Sequence, residues 1–325
     1  MSERPRFRVP DCCRQIRFHQ YLVAARKTWL LDALSAVLRR LDPEVLRNQL
    51  SELVPRDARQ VLAGAGIRDE HVFPAPVLLE EAPNLLGYYR LLLGIPQKSF
   101  YGRGTGLGRF KNLETKGQLT EGLRSVLPAL CGALCAPLAE MVRQISPRIT
   151  PRDVAELPLL TFGAYLQGAN NVRIGQQATR SVFLSIVEIT RRHVTQQKAD
   201  MLLLENASGR RVRLTLRSDP DIGIEEEFKG QWRKKVAIEI KGGTDRSNAH
   251  NRAGEAEKSH IKARRRGFRD CWTVIAKKGL DLTTLSSESP STKSWFDAAQ
   301  VLAREGEDWE QFKSHVAETV GIPLE

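Results

Sequence analysis

The six residues Val236-Ala237-Ile238-Glu239-Ile240-Lys241 constrain the fold of this chain more than any other segment. Successive side chains of a β-strand point to opposite faces. Val236, Ile238 and Ile240 therefore form an apolar face, while Glu239 and Lys241 share the other, and Gly242-Gly243 ends the run. A charged pair set into an apolar strand is costly unless a metal or an ion pair offsets it. Upstream, Pro220-Asp221 supplies a second carboxylate in an extended segment. Two carboxylates bind a hard divalent ion, and a lysine beside them can steer or help deprotonate a water molecule. These are the minimal parts for metal-assisted hydrolysis of a phosphodiester.

The Glu-x-Lys pattern alone is weak, because it occurs three times: Glu114-Thr-Lys116, Glu227-Phe-Lys229 and Glu239-Ile-Lys241. The first falls in a polar, helical-looking region and the second in an acidic stretch without alternation. Only the third lies in an apolar strand with Pro-Asp before it and a helix after it. The bland alternative is an edge strand whose Glu239 and Lys241 face water.

The charge of the chain favours a polyanionic substrate. Lys+Arg number 50 against 38 Asp+Glu, a net +12, and between Lys229 and Lys278 there are 15 Lys/Arg and 5 Asp/Glu, a net +10. A basic stretch around embedded carboxylates suits nucleic acid better than general solubility. Met1-Ser-Glu-Arg-Pro-Arg-Phe-Arg has no apolar core of a signal peptide. The uncharged run Ser125 to Ala139 is too short to span a bilayer and holds Pro128 and Pro137. Five cysteines, with no CxxC pair and histidines at zinc spacing, read as ordinary thiols in a reducing cytoplasm.

Along the chain, residues 1–150 read as a mainly helical domain. Asp42-Pro43 opens a helix, and Gly94 and Pro96 end another. Lys98 to Lys111 interleaves four glycines with basic and aromatic residues but lacks the Gly-Lys-Ser/Thr ending of a phosphate loop. Two readings stand: a structural loop, or a flexible basic arm presenting Arg103 and Arg109 to a nucleic-acid backbone. Pro147, Pro151 and Pro158 mark a boundary, and 151–325 forms the second domain. There the pattern predicts a helix over about 176–197 and strands at 211–217, from 220 and at 235–241. A helix over about 247–266 and a strand at 271–276 follow, and then one or two helices from Lys293. The order is α-β-β-β-α-β in a mixed α/β fold. The helix after Lys241 carries a small face (Ala249, Ala253, Ala256, His260, Ala263) and a polar, mostly basic stripe (Asn251, Glu255, Lys258, Lys262, Arg265). A stripe of that kind is a solvated face or a DNA contact.

Pro220, Asp221, Glu239 and Lys241, with that element order, resemble the PD-(D/E)xK nuclease superfamily. The resemblance implies that Asp221, Glu239 and the Ile240 carbonyl hold Mg²⁺ and that Lys241 orients or activates the attacking water. Some members add an acid from the first core helix, for which Glu188 is the candidate. More narrowly, the run Ile238 to His260 and the Phe100-Tyr-Gly-Arg-Gly-Thr-Gly-Leu-Gly-Arg-Phe110 loop are similar to the XcyI-type restriction endonucleases. That likeness implies cleavage of double-stranded DNA at CCCGGG after the first cytosine, leaving 5′-phosphates. It implies a homodimer acting on a palindrome in a prokaryotic cytoplasm, beside a companion DNA methyltransferase. Guanine-rich sites favour Arg or Lys in the major groove. Arg246, Arg252, Lys258 and Lys262 are candidates, and His250 and Asn251 either read bases or cap the helix. Two alternatives stand beside this reading: a structure-selective or repair nuclease on the same core, and a basic DNA-binding protein without catalysis.

Overall fold

The computed structural model describes residues 12–242, 249–277 and 281–324. The chain divides into two compact units, Met1–Gly168 and Ala169–Glu325.

The first unit is helical. Its helices are α1 (Cys13–Thr28), α2 (Leu31–Leu38), α3 (Pro43–Leu53), α4 (Arg56–Gly64), α5 (Pro76–Glu81), α6 (Leu86–Leu92), α7 (Gln97–Phe100), α8 (Lys111–Lys116), α9 (Glu121–Arg124) and α10 (Leu127–Ile145). As expected, Asp42 caps α3, its carboxylate accepting from Glu44 N at 2.8 Å with Pro43 in the first turn. The core gathers Leu, Val and Phe around two buried tyrosines of α6. Tyr88 and Tyr89 keep their hydroxyls satisfied by donating to the carbonyls of His71 and Glu70, at 2.6 and 2.9 Å. Cys131 and Cys135 are buried thiols of α10.

Helix α11 (Pro151–Thr190) begins where the sequence suggested a break. Thr150 and Asp153 cap it reciprocally: Asp153 N donates to Thr150 Oγ1 at 3.2 Å, and Thr150 N donates to Asp153 Oδ2 at 2.7 Å. Pro151 needs no amide partner in the first turn, and Pro158 lies inside the helix. The expected helix over 176–197 is thus the end of a longer one, and it stops sooner. Beyond Thr190 the chain makes a tight turn and enters a strand at Val194.

The second unit is built on a seven-stranded sheet in sequential order: β1 (Val194–Gln197), β2 (Met201–Glu205), β3 (Arg211–Leu216), β4 (Ile222–Phe228), β5 (Gln231–Lys241), β6 (Asp270–Ile275) and β7 (Ser294–Asp297). The first five strands run as an antiparallel meander. Helix α12 (Ala249–Arg265) carries the chain to β6, which lies parallel to β5, and β7 is parallel to β6. The predicted element order holds as a kernel within this sheet. Missing from it are β1 and β2, and β7, which falls where only helices were expected. That last stretch contains Ser294-Trp-Phe-Asp297, which pairs with β6 before α14 (Ala298–Ala303) and α15 (Glu307–Val320), while α13 (Leu282–Glu288) precedes it.

The sheet's two faces differ in kind. One carries Leu202, Leu214, Ile222, Ile238, Val274 and Phe296 and packs against Val182, Phe183 and Ile186 of α11 and Phe312 and Val316 of α15. On the other, Ala237 meets Ala263, Phe268 and Cys271 under α12. The small face predicted for α12 is the buried one, with Ala253, Ala256, His260 and Ala263 inaccessible to solvent. Among the described residues no helix is long and apolar enough to cross a membrane.

Candidate active site

The register of β4 on β5 brings the two carboxylates together. Ile222 is paired with Ile238, and both are buried in the larger core. One residue further, Asp221 falls opposite Glu239, and directly opposed residues of an antiparallel pair share a face. That is the face of Ala237, under α12. The Asp221 carboxylate also stitches the strand end, accepting from Ile240 N at 2.8 Å through Oδ2.

Glu239 is 6% exposed. Its Oε1 lies 3.0 Å from Lys241 Nζ and accepts from Ser259 Oγ of α12 at 3.1 Å. Lys241 has a second carboxylate, Glu255 Oε2, at 3.5 Å. Glu239 and Lys241 therefore share a face as their spacing predicted, Asp221 joins them across the strand pair, and the water-facing edge strand is excluded: β5 is interior and its charged face is covered.

The electrostatics follow from this crowding. Burial first, and then the charge of Glu239, push the Asp221 carboxyl up to about 6, against the Ile240 amide and Lys241, which pull it down. Burial would lower the Lys241 ammonium, but Glu239, Glu255 and Asp221 outweigh it and the pKa is raised. Lys241 is thus held as a cation, fit to donate hydrogen bonds and to attract phosphate.

A cleft of about 580 Å³ opens on this group. Asp221, Glu239, Ile240 and Lys241 line one side, and Arg217 and Ser218 extend it along the loop before Asp221. The facing wall is α11, through Val172, Gly175, Gln176, Thr179 and Arg180, whose 3- and 4-residue spacing defines one helix face. Gly242 allows the close passage, since a Cβ there would stand 2.2 Å from that of Ala178. This wall was not expected from the sequence, where an acid was sought on α11. The signal available was the polar Gln176, Thr179 and Arg180 beside a glycine.

Glu188 is not part of the group. It lies well beyond Arg180 along α11, exposed, paired with Arg191 at 3.1 Å, in a separate hollow with His193, Trp309 and Lys313. As an extra ligand it is too far along the helix.

The rival Glu-x-Lys copies are structural. Glu114 is buried, not polar surface, and saturated: Arg90 Nε and Nη2 donate to it at 2.9 Å each, and Gln97 and Tyr101 at 2.6 Å each. Glu227 forms a cross-strand pair with Arg211 (2.8 Å), and Lys229 sits in a turn with φ 51°.

Of the DNA-contact candidates, Lys258 and Lys262 are exposed on α12, with Asn251 exposed and Arg252 half-buried. Lys262 approaches Asp219 at 3.7 Å. Arg246 and the side chain of His250 lie outside the described residues. The segment 98–111 runs from the last turn of α7 through turns into a short 3-10 helix, Leu107–Phe110, ahead of α8. Phe100 and Phe110 are buried at its ends, and Thr105 Oγ1 donates to the carbonyls of Phe100 and Gly102. Arg103 and Arg109 are exposed on it, Arg109 stacking over Phe110.

The donor set fits a hard divalent ion. Two facing carboxylates, one with its proton affinity raised by the other, make a site that a cation relieves. Among the described residues no group of three or more His, Cys, Asp or Glu is arranged for a metal. Backbone, water and substrate phosphate would complete the shell, as is usual for Mg²⁺.

Comparison with known proteins gives the family. The XcyI restriction endonuclease family model matches residues 19–323. The type II restriction enzyme Cfr9I of Citrobacter freundii is 40% identical over 317 residues, 96% of this chain and 96% of that protein. The type II restriction enzyme XcyI of Xanthomonas campestris pv. cyanopsidis is 41% identical over 313 residues, 95% of this chain and 94% of that one. A match of that extent leaves no room for a DNA-binding protein without catalysis: the chain belongs to the XcyI restriction endonuclease family of type II site-specific deoxyribonucleases.

Proposed function

We propose that the chain cleaves double-stranded DNA at CCCGGG after the first cytosine, with Mg²⁺ held by Asp221, Glu239 and the Ile240 carbonyl. The observation that carries the reading is the convergence of Asp221, Glu239 and Lys241 on one face, at the mouth of one cleft. When bound, the ion lowers the pKa of a water and stabilises negative charge on the phosphate. The chain does the rest. Asp221 and Glu239 fix the position of the cation, and Lys241, kept protonated by its carboxylate neighbours, donates to the attacking water or the scissile phosphate. The products are a 5′-phosphate and a 3′-hydroxyl.

A palindromic target is met most simply by a two-fold dimer with one site per strand. Arg103, Arg109, Arg246, His250, Asn251, Arg252, Lys258 and Lys262 are the residues proposed to touch DNA. The working setting is a prokaryotic cytoplasm in which a companion methyltransferase protects the host sites. The test is digestion of DNA of known sequence with Mg²⁺ beside an EDTA control, with end mapping. Asp221→Ala and Glu239→Ala should abolish cleavage and keep sequence-specific binding, and Lys241→Ala should lose the chemical step. Full Mg²⁺-dependent cleavage by either carboxylate variant would sink the site, and cuts at another sequence would sink the specificity.

A further inference from the structure

Helix α12 meets the sheet through side chains that are small or flat: Ala253, Ala256, His260 and Ala263. Small residues let a helix come close, and closeness decides what a short side chain can reach. Ser259, beside His260, reaches the strand beneath and donates to Glu239 Oε1 at 3.1 Å.

This is not what a helical serine ordinarily does. Its hydroxyl commonly returns to the carbonyl one turn back. Ser35 does so toward Leu31 O (2.9 Å), and Ser185 toward Ser181 O (3.2 Å). Ser259 instead crosses to a carboxylate that is 6% exposed.

The consequence is geometric. Glu239 Oε1 receives two donors, the Ser259 hydroxyl and the Lys241 ammonium at 3.0 Å. Lysine is a flexible point charge and does not fix the rotation of a carboxylate by itself. A second donor anchored on a packed helix does. We infer that Ser259 is a positioning residue: it fixes the Glu239 carboxylate so that Oε2 is presented to the divalent cation shared with Asp221. The inference rests on the reading of Asp221 and Glu239 as the cation's ligands, and it adds the residue that orients one of them. Partners of this kind, one bond removed from a metal, typically govern its affinity.

The experiment titrates Mg²⁺ alone into the DNA-free full-length protein and follows the rise in melting temperature. The proteins compared are wild type, Ser259→Ala, Ser259→Thr and Glu239→Gln, and single-turnover cleavage is measured across the same Mg²⁺ range. Ser259→Ala should raise the half-saturating Mg²⁺ about tenfold or more in both measurements, and Ser259→Thr, which keeps the hydroxyl, should restore it. A half-saturating concentration unchanged in Ser259→Ala, with or without a fall in metal-free stability, overturns the inference while Glu239→Gln still abolishes the response. A wild-type response in Glu239→Gln overturns the ligand reading, and the positioning role with it.

Discussion

Asp221→Asn should make the protein more stable at neutral pH. The carboxyl is held where its charge is disfavoured, by burial first and then by Glu239 across the strands, which raise its pKa to about 6 from 3.8. The unfolded chain therefore releases this proton first. As pH rises from about 4 to about 6 the folded state loses its advantage from the bound proton, and above 6 the loss is complete. A shift of that size corresponds to about 3 kcal/mol at neutral pH, at roughly 1.36 kcal/mol per pKa unit. Asparagine is nearly isosteric, cannot ionise, and keeps a carbonyl oxygen to accept from Ile240 N. The variant should therefore exceed wild type by about 1–3 kcal/mol at pH 7.5, with the gap closing toward pH 4.

Urea unfolding at several pH values without divalent ions measures this, with fluorescence weighted to the second unit by Trp232, Trp272, Trp295 and Trp309. Comparing the two proteins cancels other titrations common to both. One is that of His260, whose burial lowers its pKa to about 4 and which destabilises the fold in the opposite direction, as pH falls. If Asp221 is a ligand as proposed, added Mg²⁺ should narrow the gap at pH 7.5 by stabilising wild type preferentially. A variant no more stable than wild type at pH 7.5, or a gap that widens on acidification, would refute the reasoning.

Glu114→Ala should cost about 3–5 kcal/mol of stability in urea titration, because it leaves the buried Arg90 guanidinium uncompensated. Gly242→Ala forces a Cβ to 2.2 Å from Ala178 Cβ and should cost about 1–3 kcal/mol. Adding Ala178→Gly should return most of that, and a double variant no better than the single one would contradict the close approach. Lys258→Ala and Arg109→Ala should each weaken DNA binding and reduce the log–log salt slope by about 0.9 for each phosphate no longer neutralised. An unchanged slope in a binding assay with Ca²⁺ removes that residue from the DNA face.

What the sequence made readable was local. Alternation over Val236–Lys241 placed Glu239 and Lys241 on one face, and the 4-3-4-3 spacing of small residues identified the buried side of α12. Both follow from backbone geometry within one element. Strands β1, β2 and β7 escaped because each is only four or five residues long, too short for periodicity to declare itself, and gains its identity from its neighbours. Glu188 was chosen because it is an acid on the right helix, but which turn of α11 overlooks β5 depends on tertiary packing. Ser259 was invisible for the same reason, since a serine on a helix reveals nothing about the strand beneath it. Glu114 shows the converse: a residue in a polar stretch lies in the core, because Arg90, Gln97 and Tyr101 arrive from sequence-distant positions.

The three Glu-x-Lys copies separate on one physical criterion, namely what faces the carboxylate. Glu114 faces an arginine fork, an amide and a phenol, which satisfy its lone pairs. Glu227 faces the guanidinium of Arg211 across a strand pair. Both arrangements are what folding stability alone selects, since a buried or half-buried anion is matched by a cation or by donors. Among the described residues the donors to Glu239 fall on one oxygen, and across the strands it meets another carboxylate whose proton affinity it raises. Like charges directly opposed on a sheet are destabilising, and Lys241 and the Ile240 amide offset this pair only in part, since the Asp221 pKa stays raised. A chain keeps such a pair where something absent from the polypeptide resolves it. On the proposed function, the partner that would resolve it is a divalent cation bound together with the DNA phosphate.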